Sequence, residues 1–279
     1  MSRPRDGGRI SAAFARAFGE RRAAFVPYLA AGDPDLATTG ELVLALERAG
    51  ADVVELGVPF SDPIADGPVN QAAAARALAS GTTLAGILAA VARLRRRSRI
   101  PIVLFSYFNP ILVHGLERFA EQAAAAGVDG VLCVDLPPEE AGELLAALER
   151  RGLDAIFLLA PTSDRARIRA AAGAGSGFLY YVSRTGVTGE RGELPAGLAR
   201  ELRALERAAR LPVAVGFGIS TAAQAAAVAR LAEGVVVGSA LVRVVAESVE
   251  PAQAVARVEE RARELATAIR GARRGRSAR

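Results

Sequence analysis

The chain has 279 residues, 51% of them hydrophobic and 23% charged, with 35 basic against 30 acidic side chains and a formal charge of +5. These proportions suit a soluble protein with a sizeable core, and the single cysteine, Cys133, excludes an internal disulfide framework. Every basic residue is arginine: without lysine there is no Schiff-base nucleophile, no internal pyridoxal aldimine and no P-loop lysine, and the single His114 excludes a histidine-cluster metal site.

The first stretch, MSRPRDGGRISAAFARAFGERR, has no apolar signal core, which reads as a cytosolic protein. A helical pattern over Gly8–Arg21 comes next. Strand patterns then fall at Phe25–Ala30, Asp52–Gly57, Ile100–Ser106, Gly130–Val134, Asp154–Leu159, Gly177–Val182, Pro212–Gly216 and Gly234–Val237. Helical patterns separate them, at Asp35–Ala49, Thr83–Arg97, Leu116–Ala126, Pro138–Arg150, Asp164–Ala172, Leu194–Ala209 and Thr221–Leu231, and Pro251–Arg270 closes the chain.

Three stretches rhyme: AGADVVELG, AGVDGVLCVD and RGLDAIFLLA. Each carries a C-cap glycine, then an Asp and a nearly continuous apolar run, as in a parallel strand covered on both faces. Eight strands alternating with helices predict a (β/α)₈ TIM barrel whose N-terminal helix closes the bottom. A doubly wound open sheet is the second choice, but no G-x-G-x-x-G follows the first strand. No linker-like break divides residues 1–270, so one domain is expected, and residues 271–279 read as a basic, disordered tail. No apolar run reaches the roughly 20 residues of a membrane helix. The basic pI invites a nucleic-acid reading. However, the arginines are spread over helices near glutamates, and only Arg95–Arg99 and the tail form runs, so no nucleic-acid partner is expected.

A barrel of this kind places its chemistry at the C-terminal ends of the strands. Glu55 lies near such an end in an apolar run, where burial raises a carboxyl pKa and suits it to general acid–base work. Asp66 follows on a loop stiffened by Pro63, Gly67 and Pro68. The competing reading makes Glu55 the buried partner of an arginine and Asp66 a turn cap. On the far side, strands seven and eight end in VGFGIS and VVGSALV, entering their helices through Gly and Ser. Gly218, Gly238 and Ser239 are the phosphate candidates there, because bare N–H groups at helix N-termini hold anions. YYVSRTGVTGERGELP has the length and glycines of a mobile lid, and Tyr180 should point inward if its strand alternates. His114 reads as a surface helix residue and Cys133 as a small buried hydrophobe. Composition and spacing reach a phosphate-bearing small molecule handled by carboxylates, without metal or lysine, and name no substrate.

The motifs FVPYLAAGDP, ELGVPFSDPIADGP, YFNPI, VDLPPEE, YYVSRTGVTG, GFGIS and VGSALV together resemble the tryptophan synthase alpha subunit family along nearly the whole chain. The resemblance implies retro-aldol cleavage of indole-3-glycerol phosphate to indole and glyceraldehyde 3-phosphate, with no cofactor and no metal. It implies Glu55 as general acid/base, Asp66 as the carboxylate beside the indole nitrogen, and Tyr180 against Glu55. It further implies Gly189, Gly218, Gly238 and Ser239 around the phosphate, and Tyr28 and Phe105 in the indole pocket. The implied partner is a pyridoxal-phosphate beta subunit in an α2β2 assembly, met by Asp62, Pro63, Asn109 and Pro110. A free-standing indole-producing lyase, another phosphate-binding barrel isomerase or epimerase, and a non-catalytic regulatory subunit are the alternatives.

Overall fold

The computed structural model describes residues 7–182, 197–216 and 218–272. Helix α1 (Arg9–Gly19) precedes β1 (Ala24–Ala30), α2 (Leu36–Ala49) and β2 (Val54–Gly57). Two helices, α3 (Pro68–Ala79) and α4 (Leu84–Leu94), lead to β3 (Ile102–Ser106), and two more, α5 (Phe108–His114) and α6 (Leu116–Ala126), to β4 (Gly130–Cys133). The alternation continues through α7 (Gly142–Arg151), β5 (Asp154–Leu159), α8 (Arg165–Ala174), β6 (Leu179–Val182), α9 (Leu198–Ala208), β7 (Val213–Gly216), α10 (Ala222–Ala229) and β8 (Gly234–Val237). It ends with α11 (Ser239–Ala246) and α12 (Pro251–Gly271).

The eight strands pair in parallel, each with the next, and β8 returns to β1 to close the barrel. The open-sheet alternative is thereby removed. Strands buried on both faces explain the continuous apolar runs. Side chains pointing inward include Ala24, Val26, Val53, Val103, Leu132, Ile156, Phe178, Tyr180, Ala214 and Val236, and the α1 residues Ile10, Ala13, Phe14 and Ala17 pack against them. Phe14 meets Phe178 with ring centroids 5.3 Å apart, so α1 closes the bottom of the barrel as its amphipathic pattern predicts.

The repeated Gly and Asp of the rhyming stretches have separate jobs. Gly50, Gly127 and Gly152 take the left-handed conformation that ends α2, α6 and α7. Asp52 and Asp129 are latches at the bottom. Asp52 pairs with Arg22 at 2.5 Å and Arg16 at 3.1 Å, and accepts the Phe25 amide at 2.9 Å. Asp129 pairs with Arg9 at 2.5 Å and Arg95 at 2.9 Å, and accepts the Ile102 amide at 2.8 Å. Arginines on the outer helices pair with glutamates, as in Arg48–Glu259, Arg97–Glu41 and Arg167–Glu139.

The structure corrects the sequence expectation at several boundaries. Strand β2 begins at Val54 rather than Asp52, because Asp52 turns down to its arginines. Helix α7 begins at Gly142 rather than Pro138, since Pro137–Glu140 close a turn through the Glu140 amide and the Pro137 carbonyl. The stretches holding α3 and α11 carry no expected element. No single helix among the described residues is long and apolar enough to cross a membrane. Residues 273–279 of the expected basic tail and residues 183–195 of the expected lid lie outside the described residues.

Candidate active site

Strand β2 carries Glu55 into the barrel interior with none of its surface exposed. Both of its carboxyl oxygens are buried without a hydrogen-bond partner among the described residues. Among the described residues no arginine pairs with it, which gives the ion-pair reading no support there. Burial alone pushes the carboxyl up to about 8, because a charge there would lose its hydration with nothing in exchange. Glu55 is thus a neutral acid at neutral pH, able to give up a proton and take it back.

Three aromatic rings surround it. Tyr28 on β1 is in register with Glu55, and Phe105 on β3 is in register with Gly57. The Tyr28 and Phe105 rings meet edge to face at 5.3 Å, and Phe105 and Tyr180 lie 6.4 Å apart at 60°. Strand β6 alternates as expected, with Tyr180 inward and Tyr181 outward, where its hydroxyl bonds Glu201 at 2.5 Å. Both inner tyrosines depend on glycines. A Cβ on Gly57 would stand 2.1 Å from the Tyr28 hydroxyl, and one on Gly216 would stand 2.2 Å from the Tyr180 hydroxyl. No side chain other than hydrogen fits at either position while the rings stay in place. Burial and then the facing carboxylates keep both phenols protonated, Asp66 ahead of Glu55 for Tyr28 and Glu55 foremost for Tyr180. The enclosure suits a flat apolar ring placed over one acid.

Asp66 sits on the loop between β2 and α3, held by residues that the sequence reading did not single out. The Tyr107 hydroxyl donates to Asp66 Oδ2 at 3.0 Å and accepts the Ala65 amide at 2.9 Å. The Gln71 amide donates to the Asp66 carbonyl at 2.9 Å and the Pro63 carbonyl at 3.3 Å. Partial burial raises the Asp66 carboxyl, while hydrogen bonds from Tyr107 and Asn70 pull it back down. The other end of α3 is tied to the loop after β1 by the two-pronged Arg76–Asp33 pair, at 2.7 and 2.9 Å. Tyr107 was within reach of the sequence, since it opens YFNPI at the mouth end of its strand.

Across the mouth, the two helix termini named for phosphate differ. Helix α10 fills its own N-terminus with a capping box: Thr221 accepts the Gln224 amide, and the Gln224 side chain accepts the Ser220 and Thr221 amides. The box occupies the Ser220, Thr221 and Gln224 amides and leaves those of Ala222 and Ala223 outside the helix's own ladder. Helix α11 has no side-chain cap after Gly238, which leaves the N–H groups at Ser239 and Ala240 outside the helix's own ladder. Gly238 lies beside Tyr28, and Gly218 holds a left-handed φ of 71°. Gly189 lies outside the described residues.

At the rim, Asp62 and Asn109 are exposed, with Pro63 and Pro110 half-buried beside them. Next to these stand Ile64, 81% exposed, and Val113, 76% exposed. His114 is half-buried at the end of α5, with Nε2 2.8 Å from Gln122 Oε1, and Cys133 is buried.

Residues 14–270 match the family described as Tryptophan synthase alpha chain. The Tryptophan synthase alpha chain of Geotalea daltonii is 58% identical over 236 residues, covering 85% of this chain and 89% of that one. That of Geobacter sulfurreducens is 59% identical over 235 residues, covering 84% and 89%. Among solved structures, the tryptophan synthase alpha chain of Legionella pneumophila superposes with a TM-score of 0.86 at 37% identity, covering 95% of this chain and 98% of that one. A chain of the tryptophan synthase α2β2 complex of the hyperthermophile Pyrococcus furiosus gives 0.83 at 41%, covering 88% and 98%.

Proposed function

The chain belongs to the tryptophan synthase alpha chain family, and on that premise we propose which of its residues perform the family's reaction. The protein is a carbon–carbon lyase that cleaves indole-3-glycerol phosphate within the tryptophan synthase complex, with the beta subunit as partner. Family membership removes the sugar-phosphate isomerase and epimerase readings.

In our reading Glu55 is the acid and the base. Its proton goes to indole C3, which turns the ring into an indolenine with positive charge on nitrogen. The carboxylate left behind takes the proton of the hydroxyl on the adjacent side-chain carbon. That oxygen becomes the aldehyde carbonyl, the bond from C3 to the side chain breaks, and its electron pair restores the aromatic ring. Glu55 ends as it began. The protonated ring is itself the electron sink, so the reaction has no need of the lysine this chain lacks.

Asp66 answers the charge on the ring nitrogen, and a carboxylate held by Tyr107 needs little reorganisation to do so. Tyr28, Phe105 and Tyr180 sandwich the indole. The phosphate goes to the uncapped start of α11, at Gly238 and Ser239, with Gly218 and Gly189 completing its surroundings. The beta subunit docks on the rim of Asp62, Pro63, Asn109 and Pro110, joined by Ile64 and Val113. Docking there touches both the Asp66 loop and the helix after Tyr107, which gives the partner a direct route to loop order. The cytoplasm is the compartment that fits this reading.

The observation that carries the proposal is Glu55 itself: a fully buried carboxyl under an aromatic roof, with no hydrogen-bond partner among the described residues. Indole release from indole-3-glycerol phosphate, measured with and without beta subunit, tests it. The isolated chain should turn over slowly and accelerate on adding partner. Equal rates, with no co-elution, would favour a free-standing lyase.

A further inference from the structure

The Tyr28 hydroxyl has an environment that an indole-lining ring does not call for. A phenylalanine would give the same face and edge to a ligand and the same contact with Phe105. A hydroxyl taken out of water without a hydrogen bond is costly. The Tyr28 ring is buried, but its hydroxyl, unlike the two Glu55 oxygens, is not a fully enclosed atom left without a partner, so it keeps access to the space beside it. Room has also been made for it, because Gly57 leaves open the space that a Cβ would take from the hydroxyl at 2.1 Å.

The position of that space matters. Residues 55 and 57 of β2 point to the same side of the sheet, two steps apart, and so lie roughly 6.6 Å apart along the strand. The Tyr28 hydroxyl therefore fills the inward column of Glu55, one level nearer the mouth. Asp66 is the carboxylate that acts on it most strongly, followed by Glu55. A ligand oxygen placed over the Glu55 carboxyl has the Tyr28 hydroxyl above it in this column, and the Tyr180 hydroxyl also faces Glu55.

We propose that the Tyr28 hydroxyl is a substrate-binding group that donates a hydrogen bond to the side-chain hydroxyl beside the scissile bond. The inference rests on the reading of Glu55 as the group that faces this hydroxyl. A hydroxyl oxygen has two lone pairs and one hydrogen. When Tyr28 donates to one lone pair, the substrate oxygen is pinned and its own hydrogen is free to point down at Glu55. The same donor remains in place as that oxygen becomes a carbonyl. Tyr28 gives up no proton, and burial beside two carboxylates keeps its phenol neutral throughout.

Tyr28→Phe removes one oxygen and keeps the ring. Indole-3-glycerol phosphate and indole-3-propanol phosphate, which has the ring and phosphate but no side-chain hydroxyl, serve as paired probes. In the complex with beta subunit, kcat/KM for the first should fall by about 10-fold or more, the scale of one lost hydrogen bond. The Kd of the second should stay within about twofold by calorimetry, since it never used the hydroxyl. Wild-type kcat/KM, or an equal loss of affinity for the hydroxyl-free ligand, overturns the proposal. Glu55→Gln is measured alongside. If that variant cleaves normally, the parent reading of the site fails; if it is inactive while Tyr28→Phe is unaffected, the Tyr28 assignment alone fails.

Discussion

One phenol fixes both the backbone and the carboxylate of the loop after β2: Tyr107 accepts the Ala65 amide at 2.9 Å and donates to Asp66 Oδ2 at 3.0 Å. Both bonds meet at a single oxygen, so one phenol ties the Asp66 carboxylate to the backbone of the residue before it. Tyr107 stacks in turn on Phe60 at 5.2 Å, which carries the restraint back to the end of β2.

Tyr107→Phe should therefore alter the pH dependence of cleavage as well as its rate. Burial raises the Asp66 carboxyl and the Tyr107 bond lowers it, so removing the bond lets the carboxyl rise further. Asp66 works as the anion, and the acidic limb of the kcat/KM profile should move to higher pH. An acidic limb identical to that of the wild type would show that Tyr107 does not hold the working carboxylate.

Glu55→Gln keeps shape and removes the exchangeable proton. Single-turnover cleavage should drop by at least about 10²-fold, the low end of general acid–base contributions. In the wild type, the acid must be protonated to attack C3, so kcat/KM should decline above pH about 8. Indole-3-propanol phosphate should bind the variant nearly as well as the wild type. Normal turnover by Glu55→Gln would end the assignment of Glu55.

The same substitution has a signature in stability. The folded carboxyl titrates near 8 against an ordinary value of 4.5. A raised folded value means that the protonated form is favoured in the native state. The stabilisation is complete below about pH 4.5 and is lost as pH climbs toward about 8. Glutamine has no such loss. The melting temperature of Glu55→Gln minus that of the wild type should grow across this window and level off above it. A difference that does not change with pH would mean that Glu55 is not the unpaired buried acid described here.

Phosphate recognition through α11 predicts a separable defect. Gly238→Val crowds the uncapped start of the helix, where the Ser239 and Ala240 N–H groups stand outside its ladder. Glycerol 3-phosphate should bind at least about 10-fold more weakly, the loss of one or two charge-assisted bonds. Free indole should bind as before. Unchanged glycerol phosphate affinity in titration calorimetry would move the phosphate elsewhere.

Much of this was legible in the chain as written. Strand spacing and C-cap glycines carried the barrel, because a parallel strand buried on both faces leaves a continuous apolar run that few other structures produce. The helical pattern over Gly8–Arg21, placed just before strand one, carried the role of α1 as plug. Helix α3 was not legible by the same route: PVNQAAAARALA has no apolar stripe and forms through alanine propensity with Pro68 at its first position. The capping box of α10 is written plainly in the sequence as Thr221 and Gln224.

By itself, the sequence determined the number and order of the strands, the absence of lysine chemistry, and the carriage of Glu55 and Asp66 to one end of the barrel. Each follows from local periodicity and composition, which a linear string retains. Only the tertiary structure decided which carboxylates are structural. Asp52 and Asp129 receive arginines from α1 and its surroundings, whereas Glu55, equally embedded in an apolar run, receives none among the described residues. Pairing across a barrel depends on register and on how far a guanidinium can reach, and neither is written in the residues that lie beside each acid. The same holds for Gly57 and Gly216, whose missing side chains are the places where the Tyr28 and Tyr180 hydroxyls come to rest.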